Sequence, residues 1–153
     1  MKKFIFLFLG LAIMSCGNSD DDTVTDNLDD NLSFLEKYDG FGFTYDDEYF
    51  YFSDSSIFLR RVELADEDGN SCVELREGEI NVDGQVFIVS IVTNNSSSLL
   101  MEYNYTFDGV NYTDSFEFTV NSTGNILSLK YDNDPNAIDT FTKTSTTYSS
   151  LCN

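Results

Sequence analysis

The sequence predicts an all-β protein, built as a small antiparallel up-and-down barrel or alternatively as a β-sandwich, and entered through one short helix. Three observations carry this. Apolar, aromatic or β-branched runs recur at 41–45, 48–53, 57–65, 72–77, 86–93, 99–107, 110–120, 126–131 and 140–143. Turn chemistry separates them at Asp46-Asp47, 66–70, Asp83-Gly84, Asn94-Asn95-Ser96, Asp108-Gly109, 121–125 and 132–136, using side chains that bond their own backbone or tolerate a positive φ. The connections are tight, so eight or nine short strands form one antiparallel domain of about 120 residues.

Ser33-Phe34-Leu35-Glu36 has the spacing of a capping box, in which a serine side chain and a glutamate three residues on satisfy each other's backbone amides. A short helix is expected over residues 33–39, with Phe34, Leu35 and Tyr38 free to cover something. Asp108-Gly109 is the strongest hairpin signal. A two-residue type I′ turn there pairs Phe107 with Val110, Tyr105 with Tyr112, Tyr103 with Asp114, Met101 with Phe116 and Leu99 with Phe118. One face is then almost wholly apolar, broken once, at Asp114. Across the 66–71 loop, an apolar match faces Leu64 to Val73, Val62 to Leu75 and Arg60 to Glu77, leaving Arg61, Glu63, Glu74 and Arg76 outside. The run Gln85 to Thr93 does not alternate, so both of its faces are expected to be covered, with the helix near Phe34 as the nearest lid.

The N-terminus has a different logic. Lys2 and Lys3 precede an apolar stretch from Phe4 to Met14, too short to span a bilayer core of about 30 Å and shaped like an export signal. Ile13-Met14-Ser15-Cys16 resembles the bacterial lipobox, which directs acylation of the cysteine and cleavage before it. Gly17 stands where the inner-membrane retention signal would place Asp, and Ser19-Asp20-Asp21-Asp22 resembles the surface-export signal of Bacteroidota lipoproteins. The expected organisation is a signal peptide over 1–15, a lipidated acidic tether over 16–32 and a β-domain over 33–153. The expected address is the outer membrane, lipid-anchored and facing the cell exterior.

Composition narrows the chemistry. The chain has 27 acidic and 8 basic residues, and removal of 1–15 takes two lysines and no acids, leaving 6 basic residues against 27. Such a charge repels nucleic acid and anionic lipid. There is no histidine, which excludes Ser-His-Asp and Cys-His nucleophiles, His-ligated zinc and imidazole pH switches. With Cys16 committed to lipid, Cys72 and Cys152 form an even pair in an oxidising compartment and are expected to be disulfide-bonded. Closing a loop of about 80 residues stabilises by roughly 4 kcal/mol in the chain-entropy model.

The heptapeptide Phe34 to Gly40, the aromatic strands after it, one mid-domain cysteine and the C-terminal Leu151-Cys152 resemble the small lipocalin-like lipoproteins of Bacteroidota. That resemblance implies a short helix leading into an eight-stranded barrel over most of residues 33–152. Lipocalin-type chains put a tryptophan in the first strand soon after a glycine, and here Gly42-Phe43 assigns closure of the barrel bottom to Phe43.

Arg60, Glu77, Tyr103 and Asp114 are the polar groups these registers place on an apolar face, and buried charges have to be paired. Three uses compete: mutual satisfaction as Arg60 with Glu77 and Tyr103 with Asp114; fixing the polar end of a small amphipathic ligand or glycan fragment at the barrel mouth; or acid and base work on a glycosidic bond by Glu77 and Asp114. An eight-stranded barrel is barely wider than its own side chains, which disfavours the last. Acidic residues crowd 66–70 and 132–139, but neither loop follows the EF-hand pattern, and no cofactor or metal is expected. The reading that results is a non-enzymatic lipoprotein with a ligand-binding or accessory role, against a glycosidase or a purely structural or protein-interaction module.

Overall fold

The computed structural model describes residues 31–65, 69–132, 134 and 136–152. Residues 1–30, where an export signal, an acylated Cys16 and most of a tether are expected, lie outside the described residues, as do Asp66, Glu67 and Asp68. The elements in chain order are α1 (Phe34–Lys37), β1 (Gly42–Tyr45), β2 (Glu48–Phe52), β3 (Leu59–Glu63), β4 (Ser71–Leu75), β5 (Gly78–Val82), β6 (Gln85–Asn94), β7 (Ser98–Phe107), β8 (Val110–Val120), β9 (Ile126–Tyr131), β10 (Ile138–Thr144) and α2 (Tyr148–Leu151).

All strands pair antiparallel in one sheet of order β4-β3-β2-β1-β10-β9-β8-β7-β6-β5. Because β1 pairs with β10 through Phe43 and Lys143, the meander wraps round on itself. The sheet's two edges, β4 and β5, are consecutive in sequence and joined only by Arg76-Glu77. The result is a nearly closed barrel with one open seam, a single sheet instead of the two a sandwich needs. It has ten strands where eight or nine were expected. The strand missed by reading runs was β5, whose Ile80 and Val82 alternate with Glu79 and Asn81; the Asp83-Gly84 turn implied it, since a hairpin turn requires a strand on each side.

Local chemistry holds where it was most specific. Asp108 and Gly109 have φ of 49° and 76°, as a type I′ turn demands, and all five predicted pairs from Phe107↔Val110 to Leu99↔Phe118 are present. The capping box forms: the Ser33 amide donates to Glu36 Oε2 at 2.8 Å and the Glu36 amide to Ser33 Oγ at 3.4 Å. A further first-turn amide, that of Leu35, which has no partner within the helix, donates to Asn94 Oδ1 at the end of β6. This fixes α1 across the end of the barrel where β6 turns into β7. Phe34, fully buried, meets Tyr38 at 4.7 Å and Phe52 at 5.1 Å between ring centroids. Phe43 is also fully buried and meets Phe52, so it closes that end as the sequence implied. Leu59, Leu99, Met101, Phe118, Leu127 and Phe141 fill the barrel behind them.

The β3–β4 register is the main correction. The pairs are Leu59↔Leu75, Arg60↔Glu74, Arg61↔Val73 and Val62↔Cys72, a slip of three residues from the expected match. An odd slip exchanges the two faces of one strand relative to the other. Its cause is outside the barrel. Cys72 and Cys152 are disulfide-bonded, with Cα atoms 6.1 Å apart, and the bond draws α2 over the outer face of β2–β4. There Val62 is fully buried and Tyr148 packs edge-on against Tyr51 at 5.9 Å. A second, small apolar layer thus claims Val62, and the strand's inward positions fall to Leu59, Arg61 and Glu63.

The expectation that both faces of β6 are covered is also overturned. Its outer residues Val86, Ile88 and Val92 are exposed, because α1 sits at the barrel end and does not reach that face.

Two outcomes test these assignments. Cys152→Ser should lower stability by roughly 4 kcal/mol, the chain-entropy value for a loop of this length, and release α2; urea unfolding with and without reductant measures it. Gly42→Ala should destabilise, since an added Cβ would lie 2.5 Å from Cε1 of Tyr51; a fall in Tm exceeding that of an exposed Gly→Ala control checks it.

Candidate functional site

Strand direction gives the barrel two unlike ends. The β2–β3, β4–β5, β6–β7 and β8–β9 connections share the end plugged by α1. The β1–β2, β3–β4, β5–β6, β7–β8 and β9–β10 connections share the other, and among the described residues no helix or strand crosses it. Packing is solid toward the first end. Toward the second, a cavity of 290 Å³ is lined by Phe50, Leu59, Val73, Leu75, Ile80, Val82, Phe87, Phe116, Phe118 and Leu129, with Glu48, Arg61, Tyr103 and Tyr131 nearest the opening. Its size is at the lower limit of small-molecule sites, about 300 to 1,000 Å³.

Each polar side chain is positioned by strand alternation. Glu48 and Glu63 are direct cross-strand partners on the inner face, a like-charge pairing that is unfavourable alone. Arg61 lies diagonally between them, its Nε donating to Glu48 Oε1 and its Nη2 to Glu63 Oε2 at 3.2 Å. The guanidinium is therefore committed to two carboxylates. Tyr131 donates its hydroxyl to Asp139 Oδ2 at 2.8 Å, and Tyr105 donates to Asp114 Oδ2 at 3.0 Å. Tyr103, Phe116 and Tyr131 form a wall of edge-to-face rings, with centroids 4.8 Å and 5.4 Å apart in turn.

Beyond the rim, β8 residues 110–115 have no partner on β9, so the β6–β7–β8 ribbon projects past the mouth. Its inner surface carries Phe87, Tyr105, Phe107 and Tyr112, with Tyr105 stacked on Tyr112 at 5.4 Å. An aromatic surface leads down into the cavity.

The phenols report how closely these groups converge. Burial raises the Tyr103 hydroxyl far above its ordinary value, opposed by the Arg61 charge. Tyr131 is raised likewise, first by burial, then by its hydrogen bond to Asp139 and by the charges of Asp139 and Glu48, with Arg61 again opposing. Tyr105 is raised chiefly by its hydrogen bond to Asp114. All three stay neutral donors across the physiological range.

Of the four residues picked from sequence, two belong to this site. Tyr103 lines the cavity, and Asp114 faces inward at the rim, although it accepts from Tyr105 and not from its cross-strand neighbour Tyr103. Arg60 does not. It points outward, pairs with Glu74 at 3.1 Å and lies 5.1 Å over the Tyr148 ring. Glu77 is exposed in the β4–β5 junction at the plugged end. Glu77 and Asp114 thus belong to opposite ends, and the acid–base pair imagined for glycoside cleavage does not assemble. Arg61, Glu48, Tyr131 and Asp139 were missed. For Arg61 the available signal was the alternative phase of the same strand, in which Leu59 and Arg61 share a face.

Among the described residues no group of three or more acidic or sulfur ligands is arranged to hold a metal ion. Comparison with protein-family models, with curated proteins and with solved structures returned no match.

Two results would test the geometry. Tyr51, buried against Gly42 with an unpartnered hydroxyl, is pushed up to about 12 by desolvation, with Tyr49 adding to the effect. A phenol whose folded pKa is raised stabilises fully below its unfolded value of 10.0 and loses that contribution as pH rises toward the folded value. The Tyr51 contribution should therefore be flat below pH 10 and fall above it, with delayed phenolate absorbance, and Tyr51→Phe should be neutral or stabilising. Arg61→Gln should cost about 1 kcal/mol, modest because the pair is part-exposed, by leaving Glu48 opposite Glu63; the loss should shrink in high salt.

Proposed function

We propose that this chain is a lipocalin-like lipoprotein, held at the outer membrane through Cys16 and facing the cell exterior, whose barrel binds a small amphipathic molecule. The observation that carries the binding role is the apolar cavity with a polar, aromatic mouth at the barrel end opposite α1. A protein needing only to fold gains by filling that volume, because close packing is the stable arrangement of an interior. The charges at the mouth suit the polar end of a ligand whose apolar part lies deeper. Support for the anchor comes from the sequence alone: the lipobox-like Ile13 to Cys16 and the acidic run after it. Several acyl chains at about 0.8 kcal/mol per buried methylene would hold the protein permanently.

The anchor is tested by palmitate labelling and surface proteolysis of intact cells. Label should enter the wild type and not Cys16→Ser, and added protease should remove the domain; an unlabelled wild type would sink the anchoring. The cavity is tested with a neutral apolar dye. Val73→Phe with Val82→Phe fills the volume, and should abolish dye binding while leaving the far-ultraviolet circular dichroism unchanged. Undiminished binding by that variant would place the dye elsewhere and remove the basis of the proposal.

A further inference from the structure

We infer that the cavity selects amphipaths with a cationic alkylammonium head and rejects those with a carboxylate head. This rests on the ligand-binding reading above and names its chemical class. A lone inward arginine would ordinarily invite an anion, and four carboxylates decide otherwise. Arg61 is already engaged by Glu48 and Glu63. Asp114 and Asp139 face the same opening with no cation against them among the described residues, each accepting from a tyrosine hydroxyl. Among the described residues the inner rim therefore carries four negative charges and one positive. Asp46, Asp47, Asp83 and Asp108 lie in the turns at that same end. Charges within roughly a Debye length, about 10 Å at 0.1 M salt, are felt by an incoming head group, and low-dielectric walls focus them.

The ring system fits the same head group. Tyr103, Phe116 and Tyr131 turn edge to face around the mouth, and Phe87, Tyr105 and Tyr112 continue the surface outward. Aromatic faces flanked by carboxylates attract an ammonium through the ring quadrupole as well as the net field. Tyr103 adds a hydroxyl that lines the cavity and has no hydrogen-bond partner among the described residues. The apolar floor from Phe50 to Leu129 then takes the alkyl chain.

The test is isothermal titration calorimetry on the full chain carrying Cys16→Ser, so that no acyl group competes. Decyltrimethylammonium, decanoate and decanol, each below its aggregation concentration, are the probes. The ammonium should bind at one site about tenfold or more tightly than decanoate at low salt, with the preference narrowing as salt rises. Asp114→Asn with Asp139→Asn keeps both hydroxyl acceptors, and should weaken ammonium binding severalfold while leaving decanol unchanged. Equal or tighter binding of decanoate, or ammonium binding indifferent to salt and to the paired Asn variant, overturns the inference and leaves the cavity reading intact if decanol binds. Failure of all three to bind overturns both.

Discussion

Which of two adjacent arginines faces the barrel interior depends on a covalent bond outside it. The Cys72–Cys152 disulfide holds α2 against β2–β4, and Val62 becomes buried on the outer face beneath it. Strand alternation leaves no freedom after that, for if Val62 is outside then Arg61 is inside and Arg60 is outside. The polar mouth follows. With Arg61 inward, Glu48 and Glu63 can sit directly opposite each other without net repulsion, and Arg60 is left to pair with Glu74 and cover Tyr148. The apolar burial under α2 exceeds anything a part-exposed ion pair contributes, so packing sets the phase and electrostatics conforms to it.

The two ends of the barrel answer different demands. At the plugged end, the capping box and the Asn94 side chain satisfy amides that the first turn of α1 leaves without a helical partner. This lets Phe34 and Leu35 enter the core as a stopper beside Phe43 and Phe52. At the other end, the inward residues become tyrosines and carboxylates with bulk but a need for water or a partner. Side chains of that kind do not fill an interior, and the volume above Phe50, Phe118 and Leu129 stays open. The long β6–β7–β8 ribbon extends the same inner face beyond the rim, where Phe107 and Tyr112 are left exposed. The seam lies between β4 and β5, which stay unpaired although only Arg76-Glu77 separates them.

The architecture was legible because its signals are local. Asp108-Gly109 specified its hairpin register residue by residue, and Ser33 with Glu36 specified α1 and its cap. The cysteine count pointed to the pair that bonds. Less was legible where an assignment needed a distant partner. β5 was passed over because two apolar residues in five make a faint alternation. Gln85 to Thr93 looks doubly buried, yet its outer Val86, Ile88 and Val92 are exposed. Two of the four residues picked belong to the site: Tyr103 and Asp114 share the inward face because the type I′ turn fixes their register, whereas Arg60 and Glu77 were assigned from a loop that specifies no register.

The amino-acid sequence by itself determined an all-β meander, the short capped helix before it, the cysteine pair and the strongly acidic charge. Turns, caps and alternation act over two to four residues, and their chemistry is complete within that reach. Only the tertiary structure decided the number of strands, the seam, and the set of side chains that meet at the mouth. Those depend on which of two equally alternating phases each strand adopts, and that choice is made by what packs against its far side. Here it is made by a C-terminal turn 80 residues from the cysteine that holds it.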